Sequence, residues 1–221
     1  IFVTATDTDA GKTYVATLLV QALVNQGKRV AVYKPISAGC MQVNSILVNE
    51  DAQLLKSVAN CQQSITDINP IAFEPAIAPH IAAQECQKDI DLEEINDHYQ
   101  KVKELKSDVI VTEGAGGWRL PLGKGKFLSE FVQQNKQKVV LVVNMKLGCL
   151  NHAILTYQSI ISDGLDCIAW VANGAEPMPY LQENIEELNN LLPISQLACL
   201  SFENNIELAA KKIDLSVLLK L

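Results

Sequence analysis

The segment Thr6-Asp7-Thr8-Asp9-Ala10-Gly11-Lys12-Thr13 is built of small and polar residues and ends in Gly-Lys-Thr. That is the composition of a loop whose backbone wraps a phosphate group. Apolar, β-branched residues 1–4 precede it, and residues 13–25 follow with apolar side chains at helical spacing. The loop therefore lies between a strand and a helix, where free N–H groups and roughly half a positive charge from the helix dipole face an incoming anion. In this setting Lys12 is expected to lie against the β and γ phosphates of a nucleotide, and the Thr13 hydroxyl to hold Mg2+. Alone, the triplet would read as an ordinary helix start; the loop length and the flanking strand favour the nucleotide. One departure stands out, since Thr6 occupies the place of the first glycine in the eight-residue pattern.

Further along, the apolar run 108–112 delivers Glu113 at its end, followed by Gly114, Ala115, Gly116 and Gly117. A carboxylate at the C-terminal end of a strand is how a second metal contact reaches such a site. Glycines let a backbone approach phosphate or substrate closely. A solvated strand-end glutamate would explain one residue but not the three glycines that follow. Lys34 comes just after the strand 29–33, at the same sheet edge as Lys12, and Pro35 and Gly39 shape the loop beyond it. Asp51 stands at a helix start, where spacing favours an N-cap over a metal ligand. His80 and His152 lack partners at metal-ligand spacing, His98 falls on a charged helix and is expected to be exposed, and Trp118 and Trp170 could each be core, loop packing or substrate wall.

These residues need a scaffold that gathers strand ends at one rim. The pattern provides it: strands over 1–4, 29–33, 108–112, 139–143 and 167–172, an edge strand over 196–200, and helices over 13–25, 51–59, 92–105, 151–162, 180–191 and 206–212, with a Pro-punctuated loop over 69–79. Gly27 is expected to end the first helix. The central strands are apolar throughout, as in parallel sheets buried on both faces, and right-handed βαβ crossovers follow. The expected fold is α/β, a doubly wound, mostly parallel sheet flanked by helices, of the P-loop nucleoside triphosphate hydrolase class, in one domain over 1–221. The 221 residues sit near the upper end of the roughly 100–200 usual for one domain. Ile1 falls inside a strand, so a few residues are expected to precede it. The net charge of −7 argues against nucleic acid as main partner. Six scattered cysteines without a CxxC pair read as reduced thiols of a cytoplasmic protein, and no apolar run reaches the ~20 residues of a membrane helix.

Taken together, TATDTDAGKT, YKPISAG, NEDAQLL, APHIAAQE, VIVTEGAGGWRLPL, VVNMKLGCLNHAILT and WVAN occur in this order and resemble the dethiobiotin synthetase family, over most of the chain to about Asn173. The resemblance implies a homodimer that converts 7,8-diaminopelargonic acid, CO2 (or bicarbonate) and ATP, with Mg2+, into dethiobiotin, ADP and phosphate. It makes Lys12 and Lys34 the catalytic lysines and Thr13, Asp51 and Glu113 the Mg2+ ligands, which moves Asp51 from cap to ligand. It assigns ATP contacts to Asp9, Ala10, Gly11, Lys12, Thr13, Tyr14, Asp51, Glu113, Gly114, Ala115 and Gly116. Asn173 would read the adenine, with Leu200, Ser201, Phe202 and Glu207 forming the adenine and ribose loop. Substrate contacts fall on Thr8, Lys34, Ser37 and Ala38, and on Leu147, Gly148, Cys149, Leu150 and Asn151 across the dimer interface. The chain departs from the family at Ala5, where a glycine is usual; at Ala38, which matches the substrate-binding serine and leaves Ser37 as its candidate replacement; and near 200–207, which lacks a proline.

The chemistry accounts for these residue types. An amine takes up CO2 as a carbamate, the carbamate attacks the γ-phosphate, and the second amine closes the ring on the mixed anhydride. Anionic oxygens appear at every stage, so cations aimed at them lower the barriers without a nucleophilic side chain. Three other readings rank below this one. The related amidotransferase synthetases carry a glutaminase domain for which this chain is too short. A non-catalytic nucleotide-sensing module could dispense with Lys34, Asp51 and Glu113, and a partitioning-type switch ATPase would usually place a second lysine where Asp7 and Thr8 stand.

Overall fold

A computed structural model of the chain describes residues 1–174 and 177–219. The chain opens with β1 (Phe2–Ala5), every residue of it buried, and turns through the polar loop into α1 (Lys12–Asn25). Helix α1 stops where Gly27 takes a left-handed φ of 75°, as expected of a helix C-terminus. After β2 (Val30–Tyr33) come the short β3 (Ile36–Ser37) and an exposed hairpin of β4 (Met41–Val43) and β5 (Ile46–Val48). Helix α2 (Glu50–Val58) and α3 (Ile65–Ile68), the latter opened by a Ser64/Asp67 capping box, lead to β6 (Ile71–Ala72), which pairs in parallel with β3.

Helices α4 (Pro79–Glu85) and α5 (Leu92–Glu104) precede β7 (Val109–Glu113). A second hairpin, β8 (Pro121–Gly123) with β9 (Lys126–Phe127), feeds α6 (Leu128–Gln134) and then β10 (Val139–Asn144). The chain ends through α7 (Cys149–Ser162), β11 (Cys167–Gly174), α8 (Leu181–Leu191), β12 (Ser195–Ser201), α9 (Ile206–Ala210) and α10 (Ser216–Leu219).

Six strands form one sheet in the order β12-β11-β10-β1-β7-β2, and every pairing in it is parallel. Successive strand residues face opposite sides, so the sheet feeds two cores. Phe2, Leu141 and Trp170 join one, which α4 to α8 cover. Val3, Val140, Val142 and Val171 join the other, covered by α1, α2 and α9. Burying each such aliphatic side chain stabilises the fold by roughly 1.5–3 kcal/mol, which is why these strands read as unbroken apolar runs. Because all six strands run the same way, the loops after β1, β2 and β7 emerge at one rim, where ligands of open parallel sheets bind.

Expected element types hold for all six sheet strands, with ends shifted by a residue or two. The stretch 69–79 is not a plain loop, since it contains β6 and leads into α4 at Pro79, a residue preorganised for a helix's first turn. Helix α6 lies in a stretch to which the sequence pattern assigned no element. Trp118 and Trp170 are both core residues, 5% and 0% exposed. His98 is half-buried rather than exposed. No helix among the described residues is long and apolar enough to cross a membrane.

Candidate active site

A cleft of about 820 Å3 opens at the rim formed by the ends of β1, β2 and β7. Thr8, Asp9, Gly11, Lys12, Thr13, Lys34, Ser37, Ala38, Asp51, Glu113, Gly114, Ala115 and Gly116 all line it. The phosphate loop reaches it in a shape that its sequence permits. Asp9 and Gly11 take left-handed φ of 56° and 84°, while Thr6 is not among the positive-φ residues, so the missing first glycine costs no strain there. Ala5 lies in β1, an extended backbone that alanine adopts freely. Gly11 serves as the N-cap of α1.

Lys12, 7% exposed, folds its ammonium back onto the Asp7 carbonyl at 3.2 Å. Burial pulls it below its ordinary pKa range, Glu113 pushes it back up, and the neighbouring Lys34 charge pulls it down again. An arriving phosphate would replace the solvation that this site withholds. Lys34 is held differently. Its Nζ lies 2.9 Å from Glu113 Oε1 and 2.9 Å from Asp51 Oδ2. Burial alone would lower it, but the two carboxylates outweigh that and hold its pKa above the usual lysine range, so its charge is locked on.

Glu113 is 1% exposed, which excludes the reading of a solvated strand end. Its Oε1 also accepts the Thr13 hydroxyl at 2.7 Å, while its Oε2 is buried with no hydrogen-bond partner among the described residues. Asp51 is not the cap of α2. That place belongs to Asn49, whose backbone is extended and whose side chain accepts from the Ala52 N–H, which leaves Asp51 in the first turn with its carboxylate turned to Lys34.

Around these groups a supporting shell fixes backbone. Ser37 lines the cleft, but its hydroxyl proton goes to Asn69 Oδ1 at 2.6 Å, and Asn69 Nδ2 in turn donates to the Lys34 carbonyl at 2.8 Å. Ser37 thus supports the Lys34 backbone through Asn69, an arrangement different from a serine presenting its hydroxyl to substrate. Ala38 offers only a methyl group at this wall.

Other expected residues stand outside the cleft lining. Ala10 is fully buried under the loop. Asn173, at the end of β11, is 3% exposed and donates to the Ala10 carbonyl at 2.9 Å. Leu200 puts its side chain in the core, so only its backbone can face a ligand. Ser201 and Glu207 are exposed, and Phe202 is 67% exposed with its ring 5.7 Å from that of Tyr14. The Tyr14 hydroxyl meets the carbonyls of Ser201 and Glu203 at 3.4 and 3.3 Å, tying α1 to this loop. Leu147 is 95% exposed, Gly148 caps α7 with a φ of 93°, Cys149 is buried, Leu150 is half-buried and Asn151 exposed. The turn before them reaches the phosphate loop through Lys146 Nζ, 3.6 Å from Asp7 Oδ2.

Four stretches lining the cleft had no assigned role in the sequence reading: Asn49, the run Ala76 to Ala78, Pro79 at the start of α4, and Leu120. APHIAAQE already contains Ala78 and Pro79, but apolar type alone does not separate a cleft wall from a core. All of them but Asn49 are aliphatic, and they give the cleft an apolar part of its lining.

A family model described as an AAA domain matches residues 1–210. The chain is 45% identical over 205 residues to an ATP-dependent dethiobiotin synthetase of Aeromonas salmonicida, covering 92% of this chain and 91% of that protein. With a protein of the same description from Idiomarina loihiensis it shares 46% identity over 203 residues, 91% of each chain. Among solved structures it is similar to the MinC:MinD cell division complex of Aquifex aeolicus (TM-score 0.56, 14% identity, 100% of this chain and 88% of that one) and to a ParA family ATPase of Chlorobium tepidum (TM-score 0.55, 14% identity, 99% and 91%). At such identity these structures speak for the fold alone, a parallel P-loop sheet.

Proposed function

The chain belongs to the family of ATP-dependent dethiobiotin synthetases, and from this premise we propose that it closes the ureido ring of dethiobiotin from 7,8-diaminopelargonic acid, CO2 and ATP. The observation that carries the reading is the meeting of Lys34, Asp51, Glu113 and Thr13 at the mouth of the phosphate loop, since a bare nucleotide sensor has no use for a buried lysine there.

In this reading Lys12 and the free N–H groups at the start of α1 hold the β and γ phosphates. Lys34, its charge locked on by two carboxylates, serves as a fixed cation for the anionic oxygens of the carbamate and the transferred phosphoryl group, and not as a base. One amine of the substrate adds to CO2 and releases a proton. The resulting carbamate oxygen then displaces ADP from the γ-phosphorus, and the second amine attacks the carbonyl carbon and expels phosphate. The aliphatic wall from Ala76 to Pro79, with Leu120, suits the methylene chain of such a substrate and excludes water from it.

Thr13, Asp51 and Glu113 fit Mg2+. They supply a hydroxyl and two carboxylates, hard oxygen donors, and both carboxylates already lie within 2.9 Å of one cation, Lys34 Nζ. The orphaned Glu113 Oε2 is a further buried acceptor for it. When bound, the ion would neutralise charge on the phosphate oxygens.

Asn173, Tyr14 and the 200–207 loop, including the backbone of Leu200, Ser201 and Phe202 and the Glu207 side chain, make the base and ribose end of this site. Leu147, Gly148, Cys149, Leu150 and Asn151 contact the substrate of a second copy in a cytoplasmic homodimer. Exposed Leu147, just before α7, and exposed Leu155 and Ile161 on it support self-association there. The test is ADP release with and without diaminopelargonic acid and bicarbonate. Dependence on both supports the synthetase; hydrolysis indifferent to the diamine overturns it.

A further inference from the structure

The loop Gly114 to Gly117 has three glycines in four residues and little side chain of its own to hold its shape, yet Gly114, Ala115 and Gly116 line the cleft. Its near end is fixed by the Gly114 N–H on the Val3 carbonyl at 3.0 Å. Its far end is fixed by one carboxylate 45 residues away. Asp163 Oδ2 accepts from Trp118 Nε1 at 2.8 Å, and Asp163 Oδ1 accepts from Arg119 at 2.7 Å. The Trp118 ring lies edge-on to Phe2 of β1, with centroids 6.0 Å apart, so the indole is held on the sheet face below the glycines. Asp163 itself is well fixed: its side chain is 10% exposed, its N–H binds the carbonyls of Ser159 and Ile160, and its carbonyl takes Gln133 Nε2 at 3.1 Å.

Local helix preference does not explain this aspartate. Asp163 is the C-cap of α7, where the dipole disfavours a negative charge, and the last turn of the helix has no basic residue to offset it. Residues set against a local rule mark places where something other than the fold is served. We infer that Asp163 is a positioning residue which, through Trp118 and Arg119, holds the glycine loop in register with Glu113 at the cleft. This rests on the synthetase reading of that cleft.

The experiment measures steady-state kinetics of the full chain carrying Asp163→Asn or Trp118→Phe. The first keeps side-chain shape but cannot accept from both donors; the second keeps the ring and removes a single N–H. Loss of register lowers kcat by ~10–100-fold. Affinity for ADP, measured by calorimetry, stays within about threefold, because Lys12 and α1 are untouched. The double variant is no worse than either single one, since both remove one anchor. That split between kcat and ADP affinity is not expected of general destabilisation. Wild-type kcat in Trp118→Phe overturns the inference whatever becomes of Asp163→Asn, as does a lowered melting temperature with unchanged kinetics. A wild type whose ADP release ignores the diamine would instead sink the reading of the reaction, and the same comparison on basal ATP hydrolysis would still decide the role of Asp163.

Discussion

Lys34 Nζ lies 2.9 Å from Glu113 Oε1, and the two side chains are only 4% and 1% exposed, so a full ion pair is closed off from water at the rim of the sheet. Such a pair contributes little net stability, but removing one partner leaves an uncompensated buried charge. Lys34→Met is expected to abolish diamine-dependent ADP release and to destabilise the fold by roughly 3–5 kcal/mol, as for other broken buried pairs. Lys34→Met combined with Glu113→Gln should recover much of that stability and none of the activity. Urea titration and turnover measured on the same preparations check both halves; a single variant as stable as wild type would contradict the buried pair.

Metal dependence follows from the same oxygen atoms. Chelation by EDTA is expected to stop ADP release, and added Mg2+ to restore it. Asp51→Asn keeps the size of the side chain but removes a charge that is 38% exposed, so it should raise the Mg2+ concentration needed for half-maximal rate by about tenfold or more while the fold survives. An unchanged magnesium curve would take Asp51 out of the ligand set.

How much of this was legible in the chain depends on the range of the interaction involved. The phosphate loop, β1 and α1 are local patterns, and the placement of Gly11, Lys12 and Thr13 between a strand and a helix was legible because strand, loop and helix follow one another within 25 residues. The parallel strands were legible because burial on both faces leaves continuous apolar runs. Spacing misplaced the cap of α2, because Asn49 and Asp51 are both good caps and only the extended backbone of Asn49 decides between them. The pairing of Lys34 with Glu113 was not legible, because the two residues are 79 positions apart in the chain. Short helices such as α4 and α6 span about two turns, too few for a 3.6-residue period to register.

Gly11 tests the loop's geometry. A Cβ added there would run into Asn173 Nδ2, at a φ of 84° that side chains rarely adopt. Gly11→Ala is therefore expected to push Asn173 off the Ala10 carbonyl and weaken ATP binding by at least about tenfold, with backbone strain of order 1–3 kcal/mol. Gly11→Ala with Asn173→Ala relieves the clash but not the φ, so calorimetric affinity should recover only in part. Full recovery would mean that space alone, and not backbone angle, selects glycine at this position.

Alkaline pH should expose the buried thiol of Cys167. Burial raises its pKa from an ordinary 9.0 to about 12 in the folded chain, with the Ala169 backbone opposing only in part. Its protonated form is favoured in the fold, so this contribution to stability is whole below about pH 9 and is lost as the pH climbs toward 12, where the unfolded chain has already given up the proton. In that window the unfolded state binds fewer protons, and unfolding free energy must fall with pH. Buried Tyr99, also raised to about 12 by desolvation, adds to the fall only above pH 10, where an unfolded tyrosine ionises. Replacing Cys167 with alanine should therefore make the decline shallower from about pH 9 up to 12, leaving the tyrosine part that sets in above pH 10. Urea midpoints at pH 8, 9, 10 and 11 read this directly. In the native protein at pH 8, a thiol reagent should modify exposed Cys86 and Cys199 well before Cys167. Rapid labelling of Cys167 at that pH would show that β11 opens far more readily than its place between β10 and β12 allows.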